Sequence, residues 1–155
     1  MDKIHHYHTH LVWTGNLGTG TDAYRKYERS HEIHIQGKPI IKASSDPSFR
    51  GDASKHNPEE LFLAALSGCH MLWYLHLCSE AKIIVMEYTD DAIGNMIEEQ
   101  SGAGRFSEVI LKPQVKITDS SKILEAEALH KKANAMCFIA NSCNFPVKHE
   151  VVVYV

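Results

Sequence analysis

Cys69 lies at the midpoint of the most apolar stretch in the chain, Leu61-Phe-Leu-Ala-Ala-Leu-Ser-Gly-Cys-His-Met-Leu-Trp-Tyr-Leu-His-Leu-Cys78, which carries no Asp, Glu, Lys or Arg. A thiol placed that deep is either inert packing or a protected nucleophile. Helix geometry sorts its neighbours. Nine residues at ~100° each put Cys69 and Cys78 on opposite faces, so those two cannot form a disulfide with each other. His76 shares roughly the face of Cys69 but sits about 10 Å along the axis, and His70 points about a quarter-turn away. Nothing local supplies a base to Cys69, which excludes a Cys–His pair of the protease type built from this segment.

The other two cysteines, Cys137 and Cys143, fall in Ala135-Met-Cys-Phe-Ile-Ala-Asn-Ser-Cys-Asn-Phe-Pro146. There is no Cys-x-x-Cys, against both a zinc site and thioredoxin-like chemistry. Cys69 and Cys137 could meet only if the elements that carry them pack. Histidine is abundant, with eleven copies. In His5-His-Tyr-His-Thr-His10, a strand would place His6, His8 and His10 on one face, a possible three-imidazole metal site. A His-rich terminus without metal is the simpler reading. Met71, Trp73 and Tyr74 read as core or interface residues that could also line an apolar pocket.

These side chains need elements to position them. Asn57-Pro58-Glu59-Glu60 is a helix start, with Asn57 as cap, Pro58 at the first helical position and Glu60 three residues after the cap. That helix is expected to run to about Glu80. Residues 6–13 read as a strand before the Gly-rich turn at 15–20, and 30–36 and 39–43 as a hairpin around Gly37-Lys38. Residues 46–56 form a polar loop that holds Arg50. Residues 83–95 and 106–118 alternate as two long strands, 122–136 is a second helix, and 147–155 closes as a strand. This order points to an α+β fold with antiparallel sheet packed on helices.

The 155 residues fit one domain, 1–155, without repeats or linkers. A net charge of −3 gives no basic field for nucleic acid or an anionic membrane. The apolar run touches the lower limit for a membrane span. It contains Ser67, Gly68, His70 and His76 and lacks a flanking Lys/Arg cluster, so the expectation is a central helix buried on all sides, with no membrane partner. Four cysteines and no signal peptide point to the cytoplasm and free thiols.

Asn57-Pro-Glu-Glu-Leu-Phe-Leu-Ala-Ala-Leu-Ser-Gly-Cys69 resembles the signature of the OsmC/Ohr family, the osmotically inducible and organic-hydroperoxide-resistance proteins. That pattern is Asn-Pro-Glu, a small-residue apolar helix, then the reactive Cys ten residues after the Glu. Cys137 matches the second signature, a Cys near the start of a short C-terminal helix. The resemblance covers nearly the whole chain and is nearer to the OsmC-like branch. It implies an intertwined homodimer of α+β chains that reduces organic hydroperoxides in oxidative-stress defence, needing no cofactor or metal. Cys69 would be the peroxidatic thiol and Cys137 the resolving thiol, with an external dithiol, in some relatives a lipoyl protein, as reductant.

Glu59 matches the glutamate of the family's Arg–Glu pair. Arg50 matches the OsmC-type arginine, with Arg25 and Arg29 as competitors. A guanidinium favours a thiolate and can hydrogen-bond peroxide oxygens. Glu59 lies about 15 Å up the helix from Cys69 and so can act only by orienting that arginine. The family commonly has Pro after the second Cys where this chain has Phe138, and Cys143 is an alternative resolving thiol. The competing reading is a non-catalytic protein of the same fold with an apolar ligand beside Cys69.

Overall fold

A computed structural model describes residues 3–155, which divide into two compact units, one up to Leu61 and one from Phe62 to Val155. In the first, β1 (His10–Trp13), β2 (His31–His34) and β3 (Ile41–Ala43) form an antiparallel sheet in that order. The expected hairpin is present. Gly37 takes φ +76° and Lys38 N–H donates to the Ile35 carbonyl at 3.0 Å, a turn that calls for glycine at its third position. The strand expected from residue 6 begins only at His10, because its partner ends at the opposite His34 and leaves earlier residues no ladder.

The loop at 46–56 is tied rather than loose. Asp46 accepts Ser48 N–H at 2.7 Å and starts the 3₁₀ turn Pro47–Phe49, which ends on Arg50 at φ +66°. A Cβ on Gly51 would lie 1.5 Å from the Ser45 carbonyl oxygen, so only glycine lets the loop close.

Helix α1 (Pro58–Glu80) begins as its capping box requires: Glu60 N–H donates to Asn57 Oδ1 at 2.7 Å and Asn57 N–H to Glu60 Oε2 at 3.3 Å. It ends in a Schellman motif, with Ile83 N–H on Cys78 O, Lys82 N–H on Ser79 O, and Lys82 at φ +55°.

The expected long strands are each broken in two. The strands are β4 (Val85–Asp90), β5 (Ile93–Glu98), β6 (Gly104–Leu111), β7 (Pro113–Ile117), β8 (Val147–His149) and β9 (Val152–Tyr154), with α2 (Ile123–Met136) between β7 and β8. They form two sheets, β4-β7-β9 and β5-β6-β8, each with one antiparallel and one parallel pairing. Each ribbon therefore crosses from one sheet to the other. A pin at Asp90 explains the break: its carboxylate accepts Lys112 N–H at 2.6 Å and Ser67 Oγ–H at 2.5 Å, while Glu150 N–H bonds Leu111 O at 2.8 Å. Alternation of side chains continues through such a bend, so the pattern does not reveal it.

One core cluster joins Tyr74, Leu77 and Cys78 of α1 to Val115, Ile117 and Val153 and to Ala126 and Ala133 of α2. A second joins Leu66 to Val109 and Leu111. Within one chain the helix is buried on one side only: Leu66, His70, Tyr74, Leu77 and Cys78 make one buried stripe, while Ala64, Ala65, Leu72 and His76 are exposed. By length and composition α1 could cross a membrane, yet its buried stripe serves as core.

Candidate functional site

Cys69 projects from the middle of α1 and is half-buried; Cys137, the residue that ends α2, is 1% exposed. Packing of α1 with the end of α2 brings them near one another, close enough for the Cys69 side chain to act on the Cys137 thiol. Both are free thiols. Burial, reinforced by the neighbouring Cys69 thiol, pushes Cys137 up to about 11, against a smaller opposing pull from backbone N–H groups. One of these is Ala140 N–H, which donates to Cys137 Sγ at 3.4 Å. Cys137 thus holds its proton at neutral pH, and the more accessible Cys69 is the thiol that meets a reagent first.

The remaining cysteines are placed otherwise. Cys78 is buried on the opposite side of α1, as the helical angle requires, and burial raises its pKa. Cys143 donates its S–H to the Ile139 carbonyl at 3.2 Å, and burial raises it too.

In the first unit, Arg50 lines a cavity of about 260 Å³ with Arg29, Ser30, Ser44 and Asp52. Glu59 stands in the first turn of α1 with Oε2 buried and without a hydrogen-bond partner. Among the described residues no ion pair joins Arg50 to Glu59. Arg29 is committed elsewhere: it donates to the carbonyls of Tyr27 at 2.5 Å and Tyr24 at 2.8 Å, and its guanidinium lies 4.2–4.3 Å from both tyrosine ring centroids. Arg25 is exposed.

The three-imidazole alternative at the N-terminus is not assembled, because His6 and His8 precede β1. His10 instead faces His34 across the sheet, ring centroids 6.0 Å apart. Among the described residues no three His, Cys, Asp or Glu side chains are placed to hold a metal ion.

A histidine cluster was not legible beforehand. His70 of α1, His130 of α2 and His149 of β8 meet inside the second unit. His70 Nε2 lies 2.9 Å from His130 Nδ1, and the His130 ring stacks on Tyr74 at 3.8 Å. His70 Nδ1, His130 Nε2 and His149 Nε2 are buried without partners. In either tautomer of the His70–His130 pair, one N–H is left unsatisfied. Burial, then the neighbouring imidazoles, holds His70 down at about 4 and His130 at about 3. The signal available in the sequence was the stripe Ala126, His130, Ala133 on α2 and the excess of histidine.

The family model for OsmC-like proteins matches residues 51–152. Among solved structures, the chain is similar to an OsmC-like protein of unknown function from Vibrio cholerae, with TM-score 0.84 and 30% identity over 96% of this chain and 100% of that one. It is similar in fold to an organic hydroperoxide resistance protein from Elizabethkingia anophelis, with TM-score 0.69 and 22% identity over 99% and 98% of the two chains. An organic hydroperoxide resistance protein from Legionella pneumophila shares the fold at TM-score 0.67 and 18% identity over 99% and 100%. No curated protein matches the chain. The family match over residues 51–152 and the full-length likeness to the Vibrio protein agree, and this chain belongs to the OsmC/Ohr family.

Proposed function

We propose that the chain is a thiol-dependent peroxidase for organic hydroperoxides. The observation that carries this reading is the free pair Cys69 and Cys137, close neighbours in the fold and unequal in exposure. The Cys69 thiolate attacks the terminal peroxide oxygen, the O–O bond breaks, and the alkoxide takes a proton and leaves as alcohol. Cys69 is then a sulfenic acid, oxidised by two electrons. Cys137 gives up its proton and attacks the Cys69 sulfur; the S–O bond breaks, water leaves, and a disulfide forms. An external dithiol, such as a lipoyl group, returns both thiols by exchange. By the family resemblance alone, Arg50 is assigned to the peroxide oxygens and Glu59 to the orientation of Arg50.

The exposed apolar face of α1, with Leu72 64% exposed, supports a homodimer in which a second copy covers it. Sedimentation equilibrium that returns only monomer would refute the dimer. A cytoplasmic oxidative-stress role follows from free thiols that work by oxidation and reduction.

The test of the activity is Cys69→Ser assayed with cumene hydroperoxide and a dithiol. Turnover should vanish while the fold persists; turnover at the wild-type rate would sink the mechanism. A second reading, apolar ligand binding without catalysis, draws on the apolar cavity of about 260 Å³ at Leu72, Trp73 and His76. It predicts no disulfide after peroxide treatment.

A further inference from the structure

The segment after α2 is stiff. Cys137 O accepts Asn141 N–H at 3.0 Å, Phe138 O accepts Ser142 Oγ–H at 2.8 Å, and Ala135 O accepts Asn141 Nδ2–H at 3.0 Å. Two anchors fix this turn in place. Ile139 and Ala140 pack against the cluster that contains Leu66, three residues before Cys69. Phe138 meets Trp73, four residues after Cys69, edge to face, at 5.7 Å between centroids and 89° between planes. At 100° per residue Trp73 and Cys69 lie within about 40° on one side of α1. The two anchors therefore bracket Cys69 along α1, and Cys137 immediately precedes both in the chain. The second is unusual in kind: Phe138 is 66% exposed, a large aromatic spent on one contact rather than on core.

We infer that Phe138 is a positioning residue. Its contact with Trp73 holds the Cys137 thiol against Cys69 and sets how fast the Cys69 sulfenic acid is captured. It touches neither substrate nor reacting atoms, so the first oxidation does not depend on it. The inference deepens the peroxidase reading and rests on it for the sulfenic acid step. The contact geometry itself can be tested without peroxide, because diamide oxidises two neighbouring thiols to a disulfide while it is reduced to the hydrazine.

The experiment compares wild type, Phe138→Ala and Phe138→Tyr. Reduced protein is mixed with stoichiometric cumene hydroperoxide and quenched in time. Mass spectrometry then follows dimedone-trapped Cys69 sulfenic acid, the Cys69–Cys137 disulfide and Cys69 sulfinic acid. In Phe138→Ala, Cys69 should oxidise at the wild-type rate while disulfide formation slows about threefold to tenfold, the range set by one lost aromatic pair. Trapped sulfenic acid and sulfinic acid should rise accordingly, and Phe138→Tyr should restore the wild-type partition. Diamide should show the same slowing. A Phe138→Ala protein that forms the disulfide at the wild-type rate with both oxidants overturns the inference and leaves the peroxidase reading standing. If wild-type Cys69 resists the hydroperoxide but Phe138→Ala slows the diamide reaction, the peroxidase reading fails and the positioning role stands.

Discussion

Acidification should destabilise this protein well before its carboxylates titrate, through the buried histidines. The folded chain holds His70 at about 4 and His130 at about 3, below the ordinary 6.5, because burial in a site of unpaired imidazoles disfavours the cation. A depressed histidine keeps its full contribution above pH 6.5. That contribution falls as the unfolded chain takes up protons the folded chain refuses. Each such group costs about 1.4 kcal/mol per pH unit in that window, so at pH 5 the two together cost roughly 4 kcal/mol. That is a large part of the roughly 5–15 kcal/mol that holds a domain together. His149, also lowered by burial, acts in the same direction, opposed by the Asp90 carboxylate.

The other shifted groups do not blur the window. Tyr74 of α1 and Tyr88 of β4 are pushed further up by burial, and Cys78 likewise. Asp46, Asp52, Glu108 and Asp119 are held down by hydrogen bonds, so their contributions are lost only as pH falls below the ordinary carboxylate range. Urea unfolding followed by circular dichroism between pH 7 and 4.5 reads the effect directly. His130→Gln removes one titrating ring, and its stability should fall less steeply by about 1.4 kcal/mol per pH unit. The slope is the diagnostic, since the variant also loses the stack on Tyr74 at every pH. Wild-type stability that changes by less than about 1 kcal/mol from pH 6.5 to 5, or an unaltered slope in His130→Gln, would refute the reasoning.

Two further substitutions test the scaffold. Asn57→Ala removes the acceptor of Glu60 N–H at the start of α1 and should cost about 1–2 kcal/mol, with a thermal midpoint lower by several degrees, whereas Asn57→Asp should lose far less. Asp90→Ala strips Lys112 N–H and Ser67 Oγ–H of their acceptor at the bend between sheets. It should cost about 2–3 kcal/mol by urea titration and lower the His149 pKa measured by NMR, because the Asp90 charge raises it.

What could be read in advance followed from local rules. The Asn57 cap, the α1 span, the Gly37 turn and the end of α2 at Cys137 depend on residues a few positions apart, and each lies where its signal put it. The breaks at 91–92 and 112 depend on Asp90 reaching Lys112 N and Ser67 Oγ, 22 and 23 positions away, and the break at 150–151 on Glu150 N–H reaching Leu111 O; no alternation pattern encodes these. The same holds for the site. Cys69 announces itself by its setting, but its proximity to Cys137 exists only because α1 and the end of α2 pack. His70 was assigned no role because its partners are 60 and 79 positions away.

The uniform apolarity of α1 now has a physical account that does not need burial on every side. At 100° per residue the helix presents three sectors. Leu66, His70, Tyr74 and Leu77 form the sector sunk among the sheets and α2. Cys69 and Trp73 form a flank that faces the Cys137 turn, Cys69 near the Cys137 thiol and Trp73 against Phe138. Ala64, Ala65, Leu72 and His76 form the open sector. A charged residue in the first sector would be buried unpaired, and one in the second would sit against the thiols and change their protonation. Only in the third could a charge stand in water at little cost. That this sector is also uncharged, over more than three turns, is what the proposed homodimer would account for. A Leu72→Glu protein that still sediments as a dimer would locate the interface elsewhere.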